Sequence, residues 1–316
     1  MKKFFLLILL VPVLCGCVAF VESQEKMAET LSLLDVDYKG TVHKDISYAD
    51  GLAFDLYLPE NLGNPSSGTL FFFVHGGSWT SGAKEDGERW CCYFAALGYT
   101  AASLNYSLQT KKATPSIDQM IEEIHQCLSK VVSVSTDYGV TLDEMVLNGF
   151  SAGGCLVLLY GYRETPELPV RFIATQSAPV SFNPSTWEDG VHWLVNVITG
   201  VDGSDKGAAA WLSKMSGEDV TDGMIADGSA RPVWERISPT DQLKAGAPPT
   251  LIAYGQTDGV VPRGHKDMLI EKLKETATPY EYVLFPHSGH ALAFDSDCQK
   301  SFLERIAYFC DLYLVN

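Results

Sequence analysis

The chain has 316 residues, 46% hydrophobic and 20% charged, which is an ordinary globular composition with ample length for a buried core. A formal net charge of −16 argues against a nucleic-acid partner, which needs clustered Lys and Arg, and disfavours polyanionic substrates. One domain carrying a lid accounts for the length.

Lys2 and Lys3 precede an apolar run from Phe4 to Leu14, and Leu14-Cys15-Gly16-Cys17 follows. A basic start, a short apolar stretch and small residues make a secretory signal. Its ending resembles the bacterial lipobox, in which the signal peptide is cut before a cysteine that carries diacylglycerol. That resemblance makes residues 1–17 signal peptide and lipobox and Cys17 the lipidation site. It implies an extracytoplasmic, membrane-anchored lipoprotein at the cell surface or in the periplasm of a bacterium, held by several acyl chains because one alone binds marginally. An uncleaved anchor is the alternative, since apolar residues continue through Val18, Ala19 and Val21, although Pro12 interrupts a smooth spanning helix. Residues 18–40 read as a polar tether with a brief amphipathic stretch.

Residues 41–48 and 52–58 alternate in polarity around Asp50-Gly51, a hairpin signal. Thr69 to His75 is a continuous apolar run, as expected of a strand buried on both faces of a parallel sheet. Trp90, Phe94 and Leu97 follow at helical spacing and Gly98 caps that helix. Further strands are expected at Tyr99–Tyr106, Glu144–Phe150, Val170–Gln176, Thr250–Gly255 and Tyr280–Phe285. Ile117, Ile121, Ile124 and Leu128 form a helical stripe, and a last helix from about Asp295 to Leu314 presents Phe302, Ile306, Phe309 and Tyr313. Strands alternating with helices imply a mostly parallel central sheet flanked by helices, an α/β class. Residues 181–236 break the alternation: four tryptophans (Trp187, Trp193, Trp211, Trp234) lie in a Gly- and Asp-rich stretch that reads as a lid insertion.

Beyond Cys15 and Cys17, the cysteines read as small buried hydrophobes. Cys298 and Cys310 cannot pair across one straight helix, being roughly 18 Å apart along its axis.

Ser151 sits in Gly149-Phe-Ser-Ala-Gly153-Gly154, between an expected strand and an apolar helix start. That context makes it the nucleophile on a strained strand-to-helix turn. A serine hydroxyl needs a base in hydrogen-bond reach and a third group to orient that base. Of seven histidines, His290 follows Gly289 after the last strand and is the favoured base, with His287 its rival. Asp258, in the loop after the strand Thr250–Gly255, is the acid, although Asp before Gly259 also fits a plain turn; Asp241 and Asp295 are weaker candidates. The amide of Ala152, together with amides at Gly76 and Gly77 in His75-Gly-Gly, supplies an oxyanion hole. His125 reads as surface or packing and His265 as a residue near a helix start.

On these residues the chain resembles the α/β-hydrolase esterases that include bifunctional feruloyl and acetyl-xylan esterases, related carboxylesterases and kynurenine-formamidase-like enzymes. The likeness runs from about Asp45 to the C-terminus. It is carried by Val-His75-Gly-Gly-Ser-Trp79, Leu104-Asn-Tyr106, the Ser151 motif, Ser238-Pro239, Pro249 to Pro262, and Phe285-Pro-His-Ser-Gly-His290. Two departures stand out: Ser78 replaces a third glycine, and Cys155 follows the double glycine. The resemblance implies an α/β-hydrolase domain over 41–316 and hydrolysis of short or aromatic acyl esters, such as acylated carbohydrates, through an acyl-enzyme. No cofactor or metal motif is present. An amidase or peptidase of the same fold, or a non-catalytic surface lipoprotein, are the competing readings.

Overall fold

The computed structural model describes residues 17–187 and 203–315. Residues 1–16 of the expected signal peptide and lipobox (1–17) and the middle of the expected lid, with His192 and Trp193, lie outside the described residues. Helix α1 (Cys17–Ser32) opens the described chain. No described helix is long and apolar enough to cross a membrane. Ser296 donates its hydroxyl hydrogen bond to Glu29, and Leu34 is buried in the core, so the later part of the expected tether lies on the domain.

Strands β1 (Thr41–Ala49) and β2 (Leu52–Leu58) form the hairpin around Asp50-Gly51. Then come β3 (Thr69–Val74), α2 (Glu88–Ala96), β4 (Thr100–Leu104), α3 (Ile117–Asp137), β5 (Glu144–Phe150), α4 (Ala152–Arg163) and β6 (Val170–Gln176). The insertion follows, with α5 (Asp205–Ser216), α6 (Asp222–Ala226) and α7 (Arg231–Ile237). The fold closes with α8 (Pro239–Gln242), β7 (Thr250–Gly255), α9 (Gly264–Glu275), β8 (Tyr280–Phe285) and α10 (Ser296–Tyr313). The described strands make one sheet in the order β1-β2-β4-β3-β5-β6-β7-β8, antiparallel only at β1–β2 and β2–β4. It is the α/β-hydrolase fold.

Every residue of β3 is buried because both faces of the sheet are covered. Phe72 and Val74 join the core under α3 and α4, with Ile121, Ile124, Leu156 and Leu159. Phe71 and Phe73, pointing the other way, meet Trp90 and Phe94 of α2 and Phe302 and Phe309 of α10. Leu97 departs from its expected place: it is 54% exposed, because α2 stops at Ala96 and Gly98 turns the chain at φ 101°.

The insertion is more regular than its composition suggests. Ser204 caps α5 by accepting from the Gly207 amide, and Gly217 ends that helix in the left-handed region. Trp187 and Trp211 are buried, so these two tryptophans are packing residues, while Trp234 is half-buried. An aromatic chain runs from Trp79 to Phe182 (ring centroids 5.5 Å apart), to Trp211 (5.5 Å), to Trp187 (5.3 Å) and to His265 (4.8 Å). It ties the His75-Gly-Gly loop through the insertion to the start of α9.

Candidate active site

Ser151 stands between β5 and α4 at φ 53°, ψ −122°, a backbone that a residue with a Cβ keeps only when its surroundings enforce it. Two contacts enforce it here. The Ser151 amide donates to the Gln176 carbonyl at 2.8 Å, and α4 presses so closely on the end of β3 that a Cβ on Gly153 would lie 2.0 Å from the Val74 carbonyl oxygen. The hydroxyl is thereby presented to the loop after β8.

There the Ser151 Oγ lies 2.8 Å from His290 Nε2, and His290 Nδ1 lies 2.9 Å from Asp258 Oδ2. An ionised carboxylate only accepts, so Nδ1 carries the ring proton and Nε2 accepts from the serine hydroxyl. The Asp258 side chain is 2% exposed and that of His290 18%, so the relay is shielded yet reachable at one edge. The other Asp258 oxygen, Oδ1, accepts the amides of Val260 and Val261 at 2.8 and 3.0 Å. The turn role and the orienting role therefore coexist on one carboxylate.

The rival histidine and the weaker acid pair with each other. His287 Nδ1 lies 2.7 Å from Asp295 Oδ1, with the His287 side chain 78% exposed. Asp295 also accepts from the Ser288 hydroxyl at 2.6 Å and from the His287 amide. Burial pushes the Asp295 carboxyl up, but these hydrogen bonds from Ser288 and His287 outweigh it and hold the group below the usual carboxylate range. The pair fixes the shape of the loop that carries His290. Asp241 lies in α8.

Gly76 packs against Ser151, since a Cβ there would lie 3.1 Å from Ser151 Cβ. Gly77 takes φ 112°, and Ser78 and Trp79 follow at 53° and 60°, so three successive residues turn left-handed. Among the described residues the amides of Gly76, Gly77 and Ala152 find no acceptor, which leaves them available to an oxyanion beside Ser151. Buried His75 donates from Nδ1 to the Gly76 carbonyl at 2.7 Å, and Tyr106 donates to the His75 carbonyl at 3.0 Å. Burial lowers the His75 pKa, keeping that imidazole neutral. From the loop's far side, Lys84 makes a buried ion pair with Asp55 of β2 at 2.9 Å.

Sequence reasoning missed several residues that hold these groups. Thr257 donates through both its amide and its hydroxyl to the Ser288 carbonyl, at 3.1 and 3.0 Å. Ser177 donates to the His290 carbonyl at 2.8 Å. Only the polar, turn-rich character of these loops hinted at such ties. Cys91, Cys92, Cys127, Cys155, Cys298 and Cys310 are free thiols, with Cys155 fully buried one helical turn after Ser151 and its pKa pushed up by burial. Among the described residues no group of three or more His, Cys, Asp or Glu is placed to hold a metal ion.

The chain is 26% identical over 263 residues to the probable carboxylic ester hydrolase LipM of Mycobacterium tuberculosis (strain ATCC 25618 / H37Rv), covering 80% of this chain and 57% of the relative. It is 24% identical over 226 residues to endo-1,4-beta-xylanase B of Butyrivibrio fibrisolvens, covering 71% of this chain and 32% of the relative. The chain thus spans about a third to somewhat over half the length of these relatives. Esterase B from Lactobacillus rhamnosis (HN001) superposes with a TM-score of 0.66 at 20% identity, covering 93% of this chain and 95% of that one. The BD-FAE family model matches residues 54–273, well over half of the sequence and including the oxyanion loop, Ser151 and Asp258, and the chain belongs to that family of α/β-hydrolase esterases.

Proposed function

We propose that the protein is a serine carboxylic-ester hydrolase that works through an acyl-enzyme at Ser151 on short or aromatic acyl esters, such as acylated carbohydrates. The observation that carries this reading is the continuous hydrogen-bonded relay from Asp258 through His290 to Ser151. In the first half-reaction the Ser151 oxygen attacks the ester carbonyl while His290 Nε2 takes its proton. Asp258 stabilises the imidazolium, and the amides of Ala152, Gly76 and Gly77 receive the negative oxygen. His290 returns the proton to the leaving alcohol, and water then repeats the cycle on the acyl group.

Kinship with a probable carboxylic ester hydrolase supports the ester over the amide, and kinship with a chain named for xylanase supports a carbohydrate context. The test is a panel of p-nitrophenyl esters, matched anilides, and acetylated and feruloylated sugars, run beside Ser151→Ala. Ester hydrolysis should fall on the order of a million-fold in the variant, to the assay floor. Faster anilide cleavage would turn the reading to an amidase, and a preference for long acyl chains would remove the carbohydrate assignment. The same proposal puts the enzyme outside the cytoplasm on a lipid at Cys17; metabolic palmitate labelling that survives Cys17→Ala would end that part.

A further inference from the structure

Three consecutive residues at the end of β6 bond to Ser151, to His290 and to the strand that leads to Asp258. The Gln176 carbonyl accepts the Ser151 amide at 2.8 Å, and the Ser177 amide donates to Ala253 of β7, the strand that delivers Asp258, also at 2.8 Å. The Ala178 carbonyl accepts the Tyr254 hydroxyl at 2.6 Å, a second tie to that strand. Ser177 itself is fully buried and holds φ 51°, in the left-handed region that favours glycine. A residue with a Cβ persists there when its surroundings over-determine it, and such strain clusters at functional sites. Glycine would sit there without strain, yet the chain carries a side chain whose one described bond is the hydroxyl's 2.8 Å donation to the His290 carbonyl.

The other ties on the base loop act elsewhere. Thr257 holds the Ser288 carbonyl, and Asp295 holds the His287 amide and the Ser288 hydroxyl. Among the described residues only Ser177 grips the backbone of residue 290 itself. We propose that Ser177 is a positioning residue: its hydroxyl fixes the His290 backbone against the end of β6 and so sets the angle at which the imidazole bridges Asp258 and Ser151. The inference rests on the hydrolase reading and deepens it. Ser177 touches no substrate; it registers the base against the nucleophile turn, which Gln176 holds from the same segment.

Two substitutions separate the hydroxyl from the backbone it occupies. Ser177→Gly removes the bond and eases the left-handed turn, whereas Ser177→Ala removes the bond and keeps the strain. The readouts are kcat and KM on p-nitrophenyl acetate, the rate at which a fluorophosphonate labels Ser151, and Tm. Both variants should lose about 10- to 100-fold in kcat and in labelling rate with KM within about twofold, the size of effect expected when a reacting group is slightly misplaced. Ser177→Gly should do so while melting no lower than Ser177→Ala. A Ser177→Gly enzyme with wild-type kcat and labelling rate would overturn the inference, because the serine would then merely fill a turn. A wild-type protein that neither hydrolyses the ester nor takes the label would overturn the hydrolase reading, and this inference with it.

Discussion

Asp258 divides its work between two oxygens, and the division makes its role separable by substitution. Oδ1 accepts two amides and shapes the turn, while Oδ2 faces His290 Nδ1. Asp258→Asn keeps an amide oxygen for the turn but offers an NH2 group to the imidazole, which must then accept at Nδ1 and carry its proton on Nε2. That tautomer cannot take the Ser151 proton. The expected outcome is a kcat loss on the order of ten-thousand-fold with Tm nearly unchanged, whereas Asp258→Ala should also lower Tm because the turn loses its acceptor. Steady-state kinetics and thermal melts of both variants check this; an Asn variant with near-wild-type kcat would remove Asp258 from the relay.

At the level of elements, α9 and the start of the insertion are joined by a histidine that sequence placed only near a helix start. His265 is fully buried, its Nδ1 accepts the Val180 amide at 3.0 Å, and its ring meets the edge of Trp187. Burial pushes its pKa from the ordinary 6.5 down to about 4; a backbone contact with Thr186 and the charge of Asp258 oppose that shift without overcoming it. Protonation would place a charge in an apolar site and cancel the acceptor that holds Val180. Between these two values the unfolded chain binds a proton that the folded chain refuses, so stability falls as pH drops from 6.5 through about 4, by about 3 kcal/mol in all. His265→Asn retains an acceptor for Val180 and removes the titration. Its Tm should therefore decline less steeply over that range, with a residual slope of the same sign from buried His75. Parallel melting curves from pH 7 to 4 test this, and an unchanged slope in the variant would assign the acid sensitivity elsewhere.

Across the whole molecule, what could be read in the sequence is what local pattern dictates. Runs such as Thr69–Val74 and Thr250–Gly255 name their strands because a sheet covered on both faces demands unbroken apolar residues, and Ser151, Asp258 and His290 declare themselves by following such runs. Ser177 was hidden because its meaning lies in a backbone angle and in a partner 113 residues away. The helices of the insertion were hidden by Gly and Asp content and by their shortness, and so was the way that segment docks. Arg236 of α7 pairs with Asp118 at the start of α3 and with Glu218 between α5 and α6. Arg163 of α4 binds the same Asp118 at 2.6 Å and the Arg236 carbonyl at 3.2 Å. An isolated surface pair contributes little, but this network is partly buried and joins two helices of the body to the insertion at one point. Arg236→Leu should therefore cost only about 1 kcal/mol of global stability, because the apolar contacts of Trp211, Leu212 and Val233 remain. Its larger effect should be local: faster tryptic cleavage at Lys206 and Lys214, and a raised KM with kcat preserved. Salt at 0.5 M should move the wild type toward the variant, since screening acts on the same charges. Cleavage rates and KM that match the wild type at low salt would mean that apolar packing alone seats α5, α6 and α7 on the body of the fold.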